Sequence, residues 1–169
     1  MRKEIIFNKN MEQIILTEEN KNKKARDFGV EKKSYNVLNW FDETAGVRRL
    51  IKNVCGSYFC QYIGIPKGHS LYEINYDEIP INCHGGLTFS DNWNNINESF
   101  PKNYWWIGWD YSHIGDYCYT KNSSFKMKDT HDWTLEEVVD NGSFPAYDFG
   151  KLMRLIEKVN NANSVSKGV

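Results

Sequence analysis

A chain of 169 residues and 19.8 kDa is about the length of one domain. Its 21 Lys+Arg against 22 Asp+Glu leave a net charge of −1. No basic field therefore marks it for DNA or RNA, and it holds no apolar run long enough to cross a bilayer.

Met1–Ile6 lacks the apolar stretch and small-residue cleavage site of a signal peptide, so the expected location is a cytoplasm. In that reducing setting Cys55, Cys60, Cys83 and Cys118 are expected as free thiols, and their spacing is not that of a zinc cluster.

Residues 1–35 read as an N-terminal extension. Lys3–Phe7 and Gln13–Thr17 are short β-prone runs about Asn8-Lys9-Asn10, fit for a hairpin. Glu18–Lys33 is mostly charge, a solvated linker or surface helix.

Residues 36–160 form the expected single domain. Asn36–Ala45 carries Val37, Leu38, Trp40 and Phe41 with no single period. Val47–Ile65 reads as two strands about Gly56, whose freedom at positive φ suits a tight turn. Pro66 ends the second strand because it has no N–H to give.

Lys67–Pro80 is a loop of a length that is often functional. Ile81–Ser90 is strand-like but broken by Gly85-Gly86, a pair that marks a bulge or a close approach to the backbone. Asp91–Lys102 is a polar surface loop, and Asn103–Asp110 a buried or half-buried strand.

After a polar connection over Lys121–His131, Asp132 or Thr134 caps a short helix through Leu135, Val138 and Val139, with Glu136 and Glu137 in its first turn. Pro145 interrupts. Phe149, Leu152, Met153, Ile156 and Val159 then mark an amphipathic helix over Tyr147–Val159. Residues 161–169 are expected as a frayed tail. Strands first and helices last predict an α+β fold, an antiparallel sheet with one face covered by C-terminal helices.

Aromatic residues make up 15% of the chain and concentrate between Cys55 and Thr120. In Tyr104-Trp105-Trp106-Ile107-Gly108-Trp109, alternation sets Trp105 and Ile107 opposite Trp106 and Gly108. One face can fill the core while the other, with Trp106, stacks a planar ring such as a nucleobase; alternatively both faces are covered.

His84 stands beside Gly85-Gly86, and His113 stands between Asp110 and Asp116 just past a strand end. A histidine with carboxylates nearby can serve as a general base whose tautomer they fix, or can join them around a divalent metal. The same residues also suit simple turn and cap roles. Within the long loop, Lys67 is the nearest cation for a phosphate, and His69 is placed to touch ligand. His131 reads as a surface residue.

The segments YIGIPKGHSLYEINYDEI (62–79), HGGLTFS (84–90) and WWIGWDYSHIGD (105–116) resemble a widespread family of small phage, prophage and bacterial proteins whose function is unassigned. Its pattern is G-Y-[IV]-x-[IV]-P-x-G-H-P-x-Y-x-x-x-Y-D-D-[IV], then V-H-G-G-L-T-[FY], then W-[WVF]-[IF]-G-F-D-C-A-H-x-G-D. Tyr62, Pro66, Gly68, His69, Tyr72, Tyr76, Asp77, His84, Gly85, Gly86, Thr88, Asp110, His113, Gly115 and Asp116 carry the match. Ser70 replaces the usual Pro, Trp109 the Phe, and Tyr111-Ser112 the Cys-Ala.

The resemblance implies a phage-type protein of the host-cell cytoplasm that antagonises host defence through a nucleotide-derived signal. On that expectation His84, His113, Asp110 and Asp116 are catalytic, with His84, His113 and Asp116 as ligands if a divalent metal is the cofactor. Lys67, His69, Tyr72, Gly85, Gly86, Thr88 and Trp106 bind the ligand.

The reaction expected is phosphodiesterase-type or metal-dependent hydrolysis. The alternatives are a sponge that sequesters the same signal, which calls for a homo-oligomer or closure of the 67–80 loop, and an inhibitor that binds a protein partner.

Overall fold

The computed structural model describes residues 16–29, 35–92, 101–120 and 129–166. The hairpin expected from Lys3–Phe7 and Gln13–Thr17 lies largely outside them.

Five strands form one antiparallel sheet: β1 (Tyr35–Asp42), β2 (Val47–Val54), β3 (Tyr58–Pro66), β4 (Phe89–Asp91) and β5 (Tyr104–Asp110), in the order β1-β2-β3-β5-β4. Helices α1 (Leu135–Asn141) and α2 (Ser143–Ser166) follow. The α+β class expected from strand and helix order is the class observed. No described helix is long and apolar enough to cross a membrane.

The β2–β3 turn holds Gly56 at φ +72°, with its N–H donated to the Asn53 side chain (2.6 Å). Asn53 is buried and its amide also donates to the Ala25 carbonyl (2.7 Å), so one polar side chain ties the hairpin to the upstream chain. β1 had no readable period because its pairing with β2 shifts register between Asn36 and Leu38. Val37 and Leu38 are consecutive and both buried, as a bulge permits.

Alternation along the strands separates two apolar faces. Phe59, Ile63 and Ile65 of β3, with Ile107 and Trp109 of β5, meet Leu135, Val138, Ala146, Phe149 and Met153 of the helices in the main core. On the opposite face Leu50, Cys60, Tyr62 and Trp106 form a smaller cluster under Tyr58, Tyr104 and Phe89. Both faces of the Trp-rich strand are therefore covered, and Trp106 is 0% exposed. All four cysteines are free thiols.

Thr134 caps α1 in a capping box: Glu137 N–H reaches the Thr134 hydroxyl, and Thr134 N–H reaches the Glu137 carboxylate (2.8 Å). Pro145 does not interrupt. It falls in the first turn of α2, where its missing N–H had no helical partner to lose. That helix continues to Ser166, into the stretch expected as a tail, because extending a formed helix costs far less than starting one.

The charged segment expected as a solvated linker is pinned over residues 20–28. Main-chain N–H groups of Leu135 and Glu136, orphaned at the start of α1, donate to the Lys23 and Lys21 carbonyls (2.8 and 2.9 Å). A 3₁₀ turn at Ala25–Phe28 buries Ala25. Lys24 and Arg26 both bond the Asp132 carboxylate.

Candidate functional site

The site is built where β5 ends. After Asp110 the ladder persists for one bond, Tyr111 N–H to the Phe59 carbonyl (3.0 Å). Tyr111 then turns into the core, where its hydroxyl accepts from Trp109 Nε1 (3.3 Å) and donates to Asn141 Oδ1 (3.0 Å). Burial pushes that phenol well above its ordinary pKa, so it stays neutral.

A tight turn follows. Asp110 Oδ1 accepts from the Ser112 N–H (3.1 Å) and hydroxyl (2.5 Å), and Asp116 N–H donates to the His113 carbonyl (2.9 Å). Gly115, at φ +100°, closes the turn, and Ile114 at its tip is fully exposed.

A second turn supplies His84. Gly86 N–H donates to the Cys83 carbonyl (3.1 Å), with Gly85 at φ +66° inside the turn. Thr88 docks the segment against β5, by its N–H to the Gly108 carbonyl (2.9 Å) and its hydroxyl to Asp110 Oδ2 (3.1 Å). This lays the His84 ring parallel to Tyr111, centroids 4.9 Å apart and 8° between planes. Trp133 packs edge-on against both rings, 5.0 Å from His84 and 4.8 Å from Tyr111.

Asp116 organises the centre. Its Oδ2 lies 2.8 Å from His84 Nε2 and accepts from the His113 N–H (2.9 Å), while Oδ1 accepts from Trp133 Nε1 (2.7 Å). Its side chain is only 4% exposed. Burial works to raise the Asp116 carboxyl. The hydrogen bonds from His84, Trp133 and the His113 main chain outweigh burial and hold the carboxyl below the usual range. Asp116 is therefore a carboxylate at neutral pH.

The two imidazoles meet edge to face, with centroids 5.3 Å apart. His113 Nδ1 is buried with no hydrogen-bond partner, 3.7 Å from both Asp110 Oδ1 and Asp116 Oδ2. His84, His113 and Asp116 each present one potential ligand atom, all within 4.8 Å of one another.

Thus His84, His113, Asp110 and Asp116 share one rim, with Thr88 bonded to Asp110. Gly85 packs so closely on the His113 ring that a Cβ there would overlap it. The close approach read from the glycine pair is made by an imidazole at Gly85. The space beside Gly86 is open.

Four expected ligand residues lie elsewhere. The pairing Cys60↔Asp110 and Pro66↔Tyr104 puts the loop after β3 at the opposite end of the sheet. Six residues of strand separate the two ends, about 20 Å. Lys67 is exposed there, its N–H bonded to the Asn103 carbonyl (2.9 Å). Tyr72 packs on Trp105, centroids 6.2 Å apart.

His69 is a satisfied structural histidine. Its Nδ1 accepts from the Leu71 N–H (3.0 Å), and its Nε2 faces the Met153 carbonyl (3.3 Å). Trp106 offers no stacking face because the second cluster encloses it.

Two residues of the site were not among the expected ones. Tyr111 enters the sequence reading only as the replacement of a cysteine, and Trp133 does not enter it. Trp133 precedes the helix cap Thr134, where an apolar residue commonly folds back over the first turn. That position was the available signal. His131 is half-exposed and sits 3.4 Å from the Glu137 carboxylate.

Burial pushes the Cys83 thiol up to about 11, so the cysteine beside His84 is protonated at neutral pH and is no thiolate nucleophile. Comparison with known proteins returned no matching family model, no matching curated protein and no matching solved structure.

Proposed function

We propose that this protein is a hydrolase of a nucleotide-derived signal, acting at the His84–His113–Asp110–Asp116 rim as a phage-type antagonist of host defence. The observation that supports it is the 2.8 Å contact between His84 Nε2 and the buried Asp116 carboxylate, with His113 set against both. A carboxylate that accepts the Nε2 proton leaves Nδ1 of His84 as the unprotonated base that water activation requires.

In hydrolysis the oxygen of that water bonds to phosphorus as its proton leaves, and the bond from phosphorus to the leaving oxygen breaks as that oxygen is protonated. The choice of a nucleotide rests on the resemblance described above.

The test is incubation of the full chain with a panel of cyclic and ADP-ribose-type nucleotides, followed by chromatography of the supernatant. Turnover by the wild type and its loss in His84→Ala and His113→Ala support hydrolysis. Quantitative recovery of intact ligand from heat-denatured complex replaces hydrolysis with sequestration. A panel that neither binds nor turns over removes both.

A further inference from the structure

We infer that the same rim is a binding site for one zinc-type divalent cation per chain. Its ligands are His84 Nε2, Asp116 Oδ2 and His113 Nδ1, and a fourth position is left to water. This rests on the proposed hydrolytic reading only for the use made of that water; the binding site itself is argued from geometry.

A tetrahedral zinc with ligand bonds of about 2.0–2.1 Å holds its ligand atoms roughly 3.3 Å apart. The observed separations are 2.8 Å from His84 Nε2 to Asp116 Oδ2 and 3.7 Å from His113 Nδ1 to the same oxygen, and one ligand atom from each of the three residues lies within 4.8 Å of the other two. Small side-chain adjustments convert one arrangement into the other.

The second observation is independent of the spacing. His113 Nδ1 is buried and makes no hydrogen bond, although two carboxylate oxygens stand 3.7 Å away. A buried polar atom left unpaired has lost its hydration with nothing in exchange. A cation drawn between the imidazole and the carboxylates removes that cost.

The surroundings match an outer shell. Trp133 Nε1 holds Asp116 Oδ1 at 2.7 Å, which fixes the direction of Oδ2. Tyr111 stacks on the His84 ring and Trp133 packs edge-on against both, and Gly85 admits the His113 ring where any side chain would displace it. Asp110 accepts from Ser112 at Oδ1 and from Thr88 at Oδ2, and its Oδ1 stands 3.7 Å from His113 Nδ1; with lone pairs to spare on each oxygen it is placed as an outer carboxylate able to accept from metal-bound water.

Two nitrogen donors and one oxygen favour zinc or cobalt over magnesium or calcium, which take oxygen ligands. On binding, the proton that His84 Nε2 shares with Asp116 moves to His84 Nδ1, so in the metal-loaded site Asp110 takes over from Nδ1 as the acceptor of the water's proton. The imidazole remains neutral.

The experiment uses the full chain stripped with chelator, titrated with zinc, cobalt or magnesium chloride alone, and assayed for bound metal. One zinc per chain is expected, with intense visible absorption from the cobalt form. Affinity should fall roughly 100-fold or more in His113→Ala and His84→Gln, and remain unchanged in His131→Ala. Folding of each variant is checked by circular dichroism, and Asp116→Asn is the second ligand variant should one of them unfold.

Substoichiometric zinc, equal preference for magnesium, or affinity indifferent to the ligand variants overturns the site. Nucleotide turnover undiminished by chelator overturns it while leaving the hydrolytic reading intact. Stoichiometric zinc with no nucleotide bound or cleaved supports the site and overturns that reading instead.

Discussion

Gly85 and Gly86 are neighbours with φ of +66° and +87°, so an alanine at either position suffers comparable backbone strain, about 1–2 kcal/mol. Their surroundings differ. A Cβ on Gly86 meets nothing within 4 Å, whereas one on Gly85 overlaps the His113 imidazole. Overpacking of that kind adds about 1–3 kcal/mol.

Gly86→Ala should therefore cost about 1–2 kcal/mol and Gly85→Ala about 2–5 kcal/mol in urea unfolding followed by tryptophan fluorescence. Repeating both substitutions in a His113→Ala background removes the ring that Gly85 accommodates. The gap between the two should then close to within about 0.5 kcal/mol. A gap that persists without the imidazole would refute the reasoning. So would equal losses in the wild-type background with the His113 side-chain resonances unmoved.

The Asp116 carboxyl is held below its ordinary value in the folded protein, so in the unfolded chain it binds its proton at higher pH. The stability it contributes is complete above the unfolded value of about 3.9 and is lost as pH falls through the lower folded value. In chelator, wild type and Asp116→Asn should differ most near neutrality and converge in acid; parallel curves would show that the carboxylate is not the cause. Trp106→Phe should cost roughly 1–3 kcal/mol through a cavity in the second cluster. Its binding of any ligand at the rim should be unchanged, and an altered affinity would count against the burial argument. Thr134→Ala should cost about 1 kcal/mol by thermal unfolding, since it removes the α1 cap.

Local chemistry made several elements legible. Gly56 between two apolar runs, the β-rich 103–110 segment and Thr134 followed by Glu137 are signals contained within a few residues, and each element formed where those signals stand. The rim was legible for the same reason on one side, because Asp110, His113 and Asp116 belong to a single turn.

What was hidden depends on pairing between distant segments. The antiparallel β3–β5 register carries Lys67, His69 and Tyr72 away from Asp110, and nothing in the 67–72 segment announces it. Trp106 illustrates the same limit. Alternation gave its face, but whether that face meets solvent depended on Leu50, Cys60 and Tyr62 arriving from two other strands. The β1 bulge defeated a period-two reading outright.

The clamp that Lys24 and Arg26 place on Asp132 reaches further than its own ion pairs. Asp132 adjoins the tryptophan whose indole steadies Asp116, and the carbonyls of Lys21 and Lys23 hold the start of the helix that follows. A polypeptide trimmed back to Tyr35 would retain every strand and both helices. It would still lose the brace behind one wall of the rim, so the upstream segment bears on the geometry around Asp116.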